Sequence, residues 1–410
     1  MPRILSILPL VLLLAGLPAI AQERPPQAVI DAITRAIGPA LPPIVTRFTR
    51  AGASASDERC GMQHFDVHIS FGPQGKQHRH KLMLDRQPAE RAATPNELFA
   101  VIPRIAVDAD GAARAYHPDD PYGSCGEEGK VCALDEFSSG GLMVFSGAQR
   151  TKSPAGHRAV EPELAPAWRR IWPLIRDRKI VPQQLQDLAG PAARAGRYLF
   201  HSAVENVTAV FNRHIIPSDR EGFPCRRGAR DPHPGYFVAA TTLTQRGAGE
   251  DSCRPARYLD SEQVPFFVLP QGDFGNVRVG DVVIGYLKAG ARERIAYGIV
   301  GDTGPIEKFG EGSIAFNQEL LGKTELPMRN KFDTWKLDQS SADWSRQRPH
   351  EPMSMAVLAL GNTARLLNGD YSRQNIVRVA AQRFAAWNGD RINPTARMNA
   401  CLAHAMKRQN

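Results

Sequence analysis

The sequence has no apolar run long enough to cross a bilayer anywhere after its first 21 residues. A membrane-spanning helix needs about 20 consecutive apolar residues, so we expect no stable membrane association. The apolar run that does exist, from Ile4 to Ile20, follows one cation at Arg3, contains two prolines and ends among the small residues Ala19 and Ala21. This order is typical of a secretory signal peptide. We therefore predict cleavage after residue 21 and a secreted or periplasmic protein.

Closely spaced cysteine pairs are also absent. Structural zinc sites usually contain two cysteines separated by two to four residues, and this sequence has no such pair, although His64 and His68 lie near Cys60. We therefore expect no metal and no cofactor. Six cysteines in an exported chain instead predict disulfides. Fifteen pairings are open, and short closed loops favour Cys125–Cys132 and Cys225–Cys253, which leaves Cys60 with Cys401.

Basic residues interleaved with aromatic residues, as on many nucleic-acid-binding surfaces, are missing as well. The nearest basic cluster, Arg226, Arg227 and Arg230, lies beside Cys225 in a predicted loop. We therefore expect no nucleic-acid partner. The net charge of +9 instead favours anionic surfaces such as a cell wall.

No internal repeat or low-complexity segment interrupts the chain, and most of its hydrophobic patterns have the period of strands. We predict a mainly β protein, α+β overall, that is a monomer. Its parts are a signal peptide at 1–21, a helical and linker segment at 22–58, one large domain at 59–390 with a helical insertion at about 160–200, and a polar tail at 391–410. The patterns predict strands at 65–71, 98–102, 236–243, 264–269, 282–287, 295–300 and 355–360, and helices at 29–37, within 162–199, at 313–321 and at 376–387.

The segment GDTGPIEKFGEGS, residues 301–313, is the strongest candidate for a catalytic site. Asp302 ends a predicted strand, and Glu311 lies between two glycines, which permit close approach of a ligand. Two carboxylates facing one another across a cleft are what glycoside hydrolysis requires. The alternative is structural: Asp302 caps a turn, and Glu311 is a carboxylate at the N-terminus of the helix that follows.

A second segment, VDADGAARAYHPDD, begins at Val107 and is rich in carboxylates. Asp108 and Asp110 are arranged like the start of a calcium loop, but no Glu occupies the twelfth position. They form either an acidic turn or, together with Asp135, a surface that binds cationic amino sugars. His117 is a candidate substrate contact, or else a buried, hydrogen-bonded histidine.

These segments resemble glycoside hydrolase family 75, the chitosanases. The resemblance is carried by VDADGAARAYHPDD, LDEF at 134–137, GYFVAATTL from Gly235, RYLDSEQVPFFVLP from Arg257 and YGIVGDTGPIEKFGEGSIAF from Tyr297, in that order, and it covers roughly 66–389. It implies inverting endo-hydrolysis of β-1,4-linked glucosamine polymers (chitosan). The catalytic pair would be Asp302 and Glu311, with Glu311 as the acid.

The DTGP turn also resembles double-psi β-barrel proteins, which implies a six-stranded barrel core with inserted and terminal helices. Two alternatives remain open, because chitosan is a polycation and this chain is basic. One is a peptidoglycan-cleaving double-psi barrel in which Asp302 alone is acid and base. The other is a non-catalytic module that binds the cell wall.

Overall fold

The computed structural model describes residues 23–38, 44–50, 58–71, 77–85, 95–102, 104–123, 133–137, 141–152, 162–247, 249–322, 336–338, 353–389 and 392–407. The predicted signal peptide lies outside the described residues, as do Cys125 and Cys132. The structure is mixed α and β, with more strand than helix, which confirms the predicted α+β class.

Six α-helices and sixteen strands are present in the described part of the chain. The helices are α1 (Gln27–Ile37), α2 (Leu164–Arg176), α3 (Leu185–Ala189), α4 (Ile314–Leu321), α5 (Arg373–Asn388) and α6 (Ala396–Met406). The first ten strands are β1 (Ile44–Arg50), β2 (Gln63–Phe71), β3 (Gln77–Leu84), β4 (Glu97–Ile102), β5 (Arg104–Asp108), β6 (Leu142–Ser146), β7 (Gln149–Arg150), β8 (Gln183–Gln184), β9 (Arg197–Ser202) and β10 (Val207–Asn212). The others are β11 (Phe266–Pro270), β12 (Val282–Ala289), β13 (Arg292–Gly304), β14 (Glu311–Ser313), β15 (Lys336–Asp338) and β16 (Met353–Leu360).

The described strands form two sheets. The larger has eleven strands in the order β1-β2-β3-β4-β16-β12-β13-β11-β14-β5-β15, and the smaller has five in the order β7-β6-β10-β9-β8. Most neighbours are antiparallel, but β11 is parallel to β13 and β14 is parallel to β5. Where we predicted a core of six strands, eleven are hydrogen-bonded into one sheet.

Alternation along the strands places a hydrophobic layer on each face of both sheets, because successive side chains of a strand point to opposite faces. In β9, Tyr198 and Phe200 face the core shared by the two sheets, whereas Leu199 faces α1 and α3. In β12, Val283 belongs to the shared core, and Ile284 belongs to the layer under α5 and α6. The shared core therefore joins the sheets, and helices cover their outer faces.

Helices form within 162–199, as the sequence predicted: α2 is followed by the short α3. Trp168, Ile171 and Ile175 of α2 are buried, whereas Arg169 and Arg176 are exposed on the other face. The end of the chain differs from the polar tail that we predicted. It forms α6, in which Met398, Cys401 and Leu402 are buried against the outer layer of the larger sheet.

The strand predicted at 236–243 does not form. Its amide groups donate to three separate segments: Phe237 to Tyr116, Val238 to Cys225, and Ala240 to Ile215. A ladder needs one continuous partner strand, so this apolar stretch is a buried irregular segment. Its hydrophobic pattern reflects burial and not pairing.

Two of the predicted disulfides are present. Cys60 is bonded to Cys401 with an S–S distance of 2.08 Å, and Cys225 is bonded to Cys253. Such bonds are typical of proteins outside the reducing cytosol. Among the described helices, none has the length and apolar character that crossing a bilayer requires.

Candidate active site

One large cleft, of about 1460 Å³, contains most of the residues that the sequence singled out. Strands β5, β13 and β14 of the larger sheet form one wall, and residues at the start of β9 and the end of β10 of the smaller sheet line it as well. Seven acidic residues line it, and five of them are candidates from the sequence: Asp108, Asp110, Asp135, Asp302 and Glu311. Residues from distant parts of the chain therefore meet in a single acidic site.

Asp302 and Glu311 lie on the two strands that flank β11. Both are in register with Val268, Asp302 on the parallel neighbour β13 and Glu311 on the antiparallel neighbour β14. Two strand spacings place their Cα atoms about 10 Å apart. Because both pair with the same residue, which itself lines the cleft, their side chains share that face of the sheet.

A β-bulge at Gly301 gives Asp302 this orientation. Val300 pairs with Phe267, but the next residue of β11, Val268, pairs with Asp302, so Gly301 is the extra residue. A bulge of this kind redirects the side chains that follow it. A Cβ atom at Gly301 would lie 2.5 Å from Phe266 Cβ, so the bulge requires glycine here.

Three donors hold one oxygen of Asp302. Its Oδ1 accepts hydrogen bonds from the Thr242 amide (3.0 Å), the Thr303 amide (2.7 Å) and the Thr242 hydroxyl. Burial raises the pKa of Asp302 to about 6, although these donors oppose the shift and the nearby Glu311 adds to it. The result is an oriented carboxyl group that changes charge close to neutral pH.

Glu311 is the first residue of β14, and not part of a helix. The N-cap of α4 is Ser313, whose hydroxyl accepts a hydrogen bond from the Phe316 amide. Burial raises the pKa of Glu311, and Lys308, whose Nζ lies 3.7 Å from Oε1, opposes that shift. The structural alternative of a carboxylate at the helix N-terminus therefore does not describe Glu311.

Asp108 and Asp110 lie beside Asp302. One carboxylate oxygen of each of these three residues is within 4.8 Å of the other two. Burial raises the pKa of Asp108 and of Asp110 well above the ordinary value, and the neighbouring carboxylates raise both further. Crowding and partial desolvation of carboxylates both disfavour their charged forms, so protonation of the cluster is favoured relative to isolated carboxyl groups.

Tyr116 links two members of this cluster. Its hydroxyl lies 2.8 Å from Asp110 Oδ1 and 3.4 Å from Asp135 Oδ2. The ring itself is buried in the shared core. Tyr116 thus anchors the acidic cluster to the hydrophobic interior.

His117 and Glu307 have different environments. His117 is buried outside the group of residues that line the cleft, where its Nδ1 accepts a hydrogen bond from the Asp119 amide and its ring meets the edge of Tyr236. Burial lowers its pKa. Glu307 is exposed at the rim of the cleft.

The donor set of the cleft also has the chemistry of a site for a hard cation. Asp108, Asp110 and Asp302 are close enough to share one, and Ca²⁺ and Mg²⁺ prefer carboxylate oxygens. Their raised pKa values mean that such an ion would compete with protons. Cys60, near which His64 and His68 suggested a zinc site, is bonded to Cys401 and offers no thiolate.

Several residues of this site were not singled out from the sequence. Thr242 and Tyr116 lie within the segments GYFVAATTL and VDADGAARAYHPDD, so a signal existed for both. Arg197, which lines the cleft from β9, lies in no such segment and carried no signal.

Comparison with known proteins finds no family model that matches the chain and no curated protein that is similar to it.

Proposed function

We propose that this protein is an exported glycoside hydrolase that cleaves β-1,4-linked glucosamine polymers at internal bonds. The observation that carries the proposal is the register of Asp302 and Glu311 with Val268, which puts two buried carboxyl groups on one face of the sheet inside a large cleft. Both have raised pKa values. Two carboxyl groups so placed can act as the acid and base of glycoside hydrolysis.

In the proposed inverting reaction, Asp302 is the general base and Glu311 the general acid. The three donors on Oδ1 of Asp302 favour its ionised form and leave Oδ2 to accept a proton from water. The water oxygen then bonds to the anomeric carbon as the glycosidic bond breaks. Glu311, whose pKa is raised by burial, donates its proton to the departing oxygen.

Asp108, Asp110 and Asp135 are the proposed contacts for substrate amino groups. An ammonium group near these acids would gain about 1 to 4 kcal/mol per close pair at moderate effective dielectric. A bound ammonium also favours ionisation of the cluster, which is otherwise disfavoured by burial and crowding. The acidic site therefore gains most from a cationic sugar.

The proposal includes a double-psi barrel core and export. The parallel pairs β11–β13 and β5–β14, set among antiparallel neighbours, support a mixed barrel-like core around the cleft. The disulfides support a location outside the cytosol.

A second candidate is a peptidoglycan-cleaving enzyme in which Asp302 alone is acid and base. The ion pair of Lys308 with Glu311 favours it, because a nearby cation stabilises the charged carboxylate and makes Glu311 a poorer acid. In this mechanism Glu311 is structural.

The test measures reducing-sugar release from chitosan and from peptidoglycan by the mature protein and by the Asp302→Asn and Glu311→Gln variants. Loss of general acid or base catalysis lowers the rate by about 10²–10⁴-fold, so both variants should lose nearly all activity on chitosan. Glu205→Gln, in the turn between β9 and β10 away from the cleft, is the matched control and should keep wild-type activity.

The other outcomes separate the alternatives. Full activity of Glu311→Gln, with Asp302→Asn inactive, would overturn the paired mechanism in favour of the single-acid enzyme. Glycan binding without any product, unchanged in both variants, would show a binding module.

A further inference from the structure

The guanidinium of Arg197 lies in the wall of the cleft and has no hydrogen-bond partner among the described residues. Its Nε and Nη1 atoms are closed off from solvent and have no hydrogen-bond acceptor in the described part of the chain. Arg197 lines the same cleft as Asp302 and Glu311. This leaves Nη2 as the guanidinium nitrogen that can meet a ligand there.

The charge of Arg197 is not balanced by a carboxylate of the described residues. Its pKa is lowered to about 10 by burial and, among the described residues, by another cation, Arg194. An arginine stays protonated at neutral pH, so Arg197 cannot avoid the cost of burying its charge by losing a proton. An isolated charge that is partly withdrawn from water is unfavourable unless an anion pairs with it.

Neighbouring cations make this part of the cleft basic. Arg194 precedes β9 and lines the cleft, and the charge of Glu307 acts on it. Arg213 follows Asn212, the strand partner of Arg197, and its amide donates to the Gly196 carbonyl at 2.9 Å. Three arginines at the start of β9 and just after β10 thus line the same cleft as the acidic cluster of the larger sheet.

We infer that Arg197, with Arg194 and Arg213, binds a carboxylate carried by the glycan substrate. This inference rests on the proposed hydrolase function and narrows its substrate to a β-1,4-linked amino-sugar polymer that also carries carboxylates. The Nη2 amino group of Arg197 carries part of the guanidinium charge, so it can donate a charge-assisted hydrogen bond to a carboxylate oxygen. The acidic cluster would bind amino groups of the same polymer, so the two sides of the cleft recognise opposite charges.

The test compares kcat/KM on chitosan oligomers with kcat/KM on carboxymethylated chitosan oligomers of equal length. The wild-type protein should prefer the carboxymethylated substrate by at least about tenfold, the effect of one good charge-assisted contact. Arg197→Gln should reduce this ratio about tenfold, and Arg197→Lys should reduce it less, because lysine keeps the positive charge. Arg383→Gln, exposed on α5, is the control and should keep the wild-type ratio.

Binding to the inactive Asp302→Asn protein separates this inference from the proposed function. Suppose that the wild-type protein cleaves neither polymer, but carboxymethylated oligomers bind more tightly than chitosan oligomers and Arg197→Gln removes this difference. The hydrolase proposal then fails and the anion site stands. If chitosan is cleaved and the Arg197→Gln ratio equals that of the wild type, the anion site is overturned and the hydrolase stands. The same binding assay with peptidoglycan fragments and with β-1,4-linked uronate oligomers shows whether the polymer must carry both amino groups and carboxylates. Tighter binding of the uronate oligomers than of the carboxymethylated chitosan oligomers would overturn the inference that the substrate contains amino sugars.

Discussion

At the scale of single residues, the cleft concentrates carboxyl groups where ionisation is unfavourable. Asp302 is 7% exposed, and its acidic neighbours Asp108 and Asp110 lie within 4.8 Å. Folding brings these groups together against the repulsion of their charges. A site of this kind lowers the stability of the folded protein, and substrate cations or protons offset the effect.

The first prediction concerns the pH dependence of stability. The pKa of Asp302 is raised from 3.8 to about 6 in the folded state, so between these values the folded protein binds more protons than the unfolded chain. Stability should therefore fall as pH rises from about 4 to above 6. Since one pKa unit corresponds to about 1.4 kcal/mol, Asp302 accounts for a loss of at most about 3 kcal/mol.

The Asp302→Asn variant measures this contribution. Asn keeps an oxygen for the donors from Thr242 and Thr303 but carries no charge. Its free energy of unfolding should exceed that of the wild type by a margin that grows from pH 4 to pH 8, as followed by denaturant unfolding. Glu205→Gln should follow the wild type. A destabilised Asp302→Asn protein at pH 8 would contradict the argument and indicate that the charged carboxylate supports the fold.

At the scale of elements, the bulge in β13 connects the sheet to the chemistry. In a regular register without the bulge, Val268 would pair with Gly301 instead of Asp302. The Asp302 side chain would then lie on the same face of the sheet as Val300, which is the face away from the cleft. The bulge can form because Gly301 has no side chain and can lie close to Phe266. One glycine therefore decides whether the carboxyl group reaches the cleft.

The second prediction is that Gly301→Ala moves Asp302 out of position. The added Cβ would meet Phe266 Cβ at 2.5 Å, and relief requires a shift of β13 against β11. We expect a loss of about 1–3 kcal/mol of stability from overpacking and a fall in kcat larger than any change in KM on chitosan. Gly228→Ala, at an exposed position with room for a methyl group, is the control. Wild-type kcat in Gly301→Ala would show that the bulge does not orient Asp302.

The sequence predicts the strands and helices of this region better than the pairing and register between them. Alternation and length identify β12, β13 and β16, and the spacing of Trp168, Ile171 and Ile175 identifies α2. The bulge was not predictable, because the register of β13 depends on β11, about thirty residues away in the chain. The segment 236–243 was misassigned because burial without pairing has the same hydrophobicity as a strand.

The candidate site was also predictable only in part, because the sequence shows its motifs but not the contacts between distant segments. Asp302 and Glu311 lie in one short motif, and Asp108, Asp110 and Asp135 lie in segments dense in carboxylates. Arg197 could not be predicted from the sequence, because the lack of a partner for its guanidinium among the described residues follows from the position of β9 beside the cleft.

At the scale of the whole molecule, the two disulfides have different positions. Cys60–Cys401 joins the start of the larger sheet to α6 across 341 residues. Arg397 of α6 reinforces this connection, because its Nε donates to the Cys60 carbonyl and its guanidinium lies over Trp387. Cys225–Cys253 closes only 28 residues, but Ser252 beside it lines the cleft.

The third prediction follows from this difference. In the chain-entropy view, a closed loop of 341 residues stabilises the fold by about 6 kcal/mol and one of 28 residues by about 3.5 kcal/mol. Replacing Cys60 and Cys401 by Ala should therefore lower the unfolding temperature more than replacing Cys225 and Cys253. The second variant should instead lose more kcat/KM on chitosan, measured well below both unfolding temperatures, because the loop that carries Ser252, Arg257 and Tyr258 is released at the cleft. Equal losses of stability and activity in the two variants would contradict this division, since they would mean that the cleft depends on the larger sheet as a whole and not on the local bond beside it.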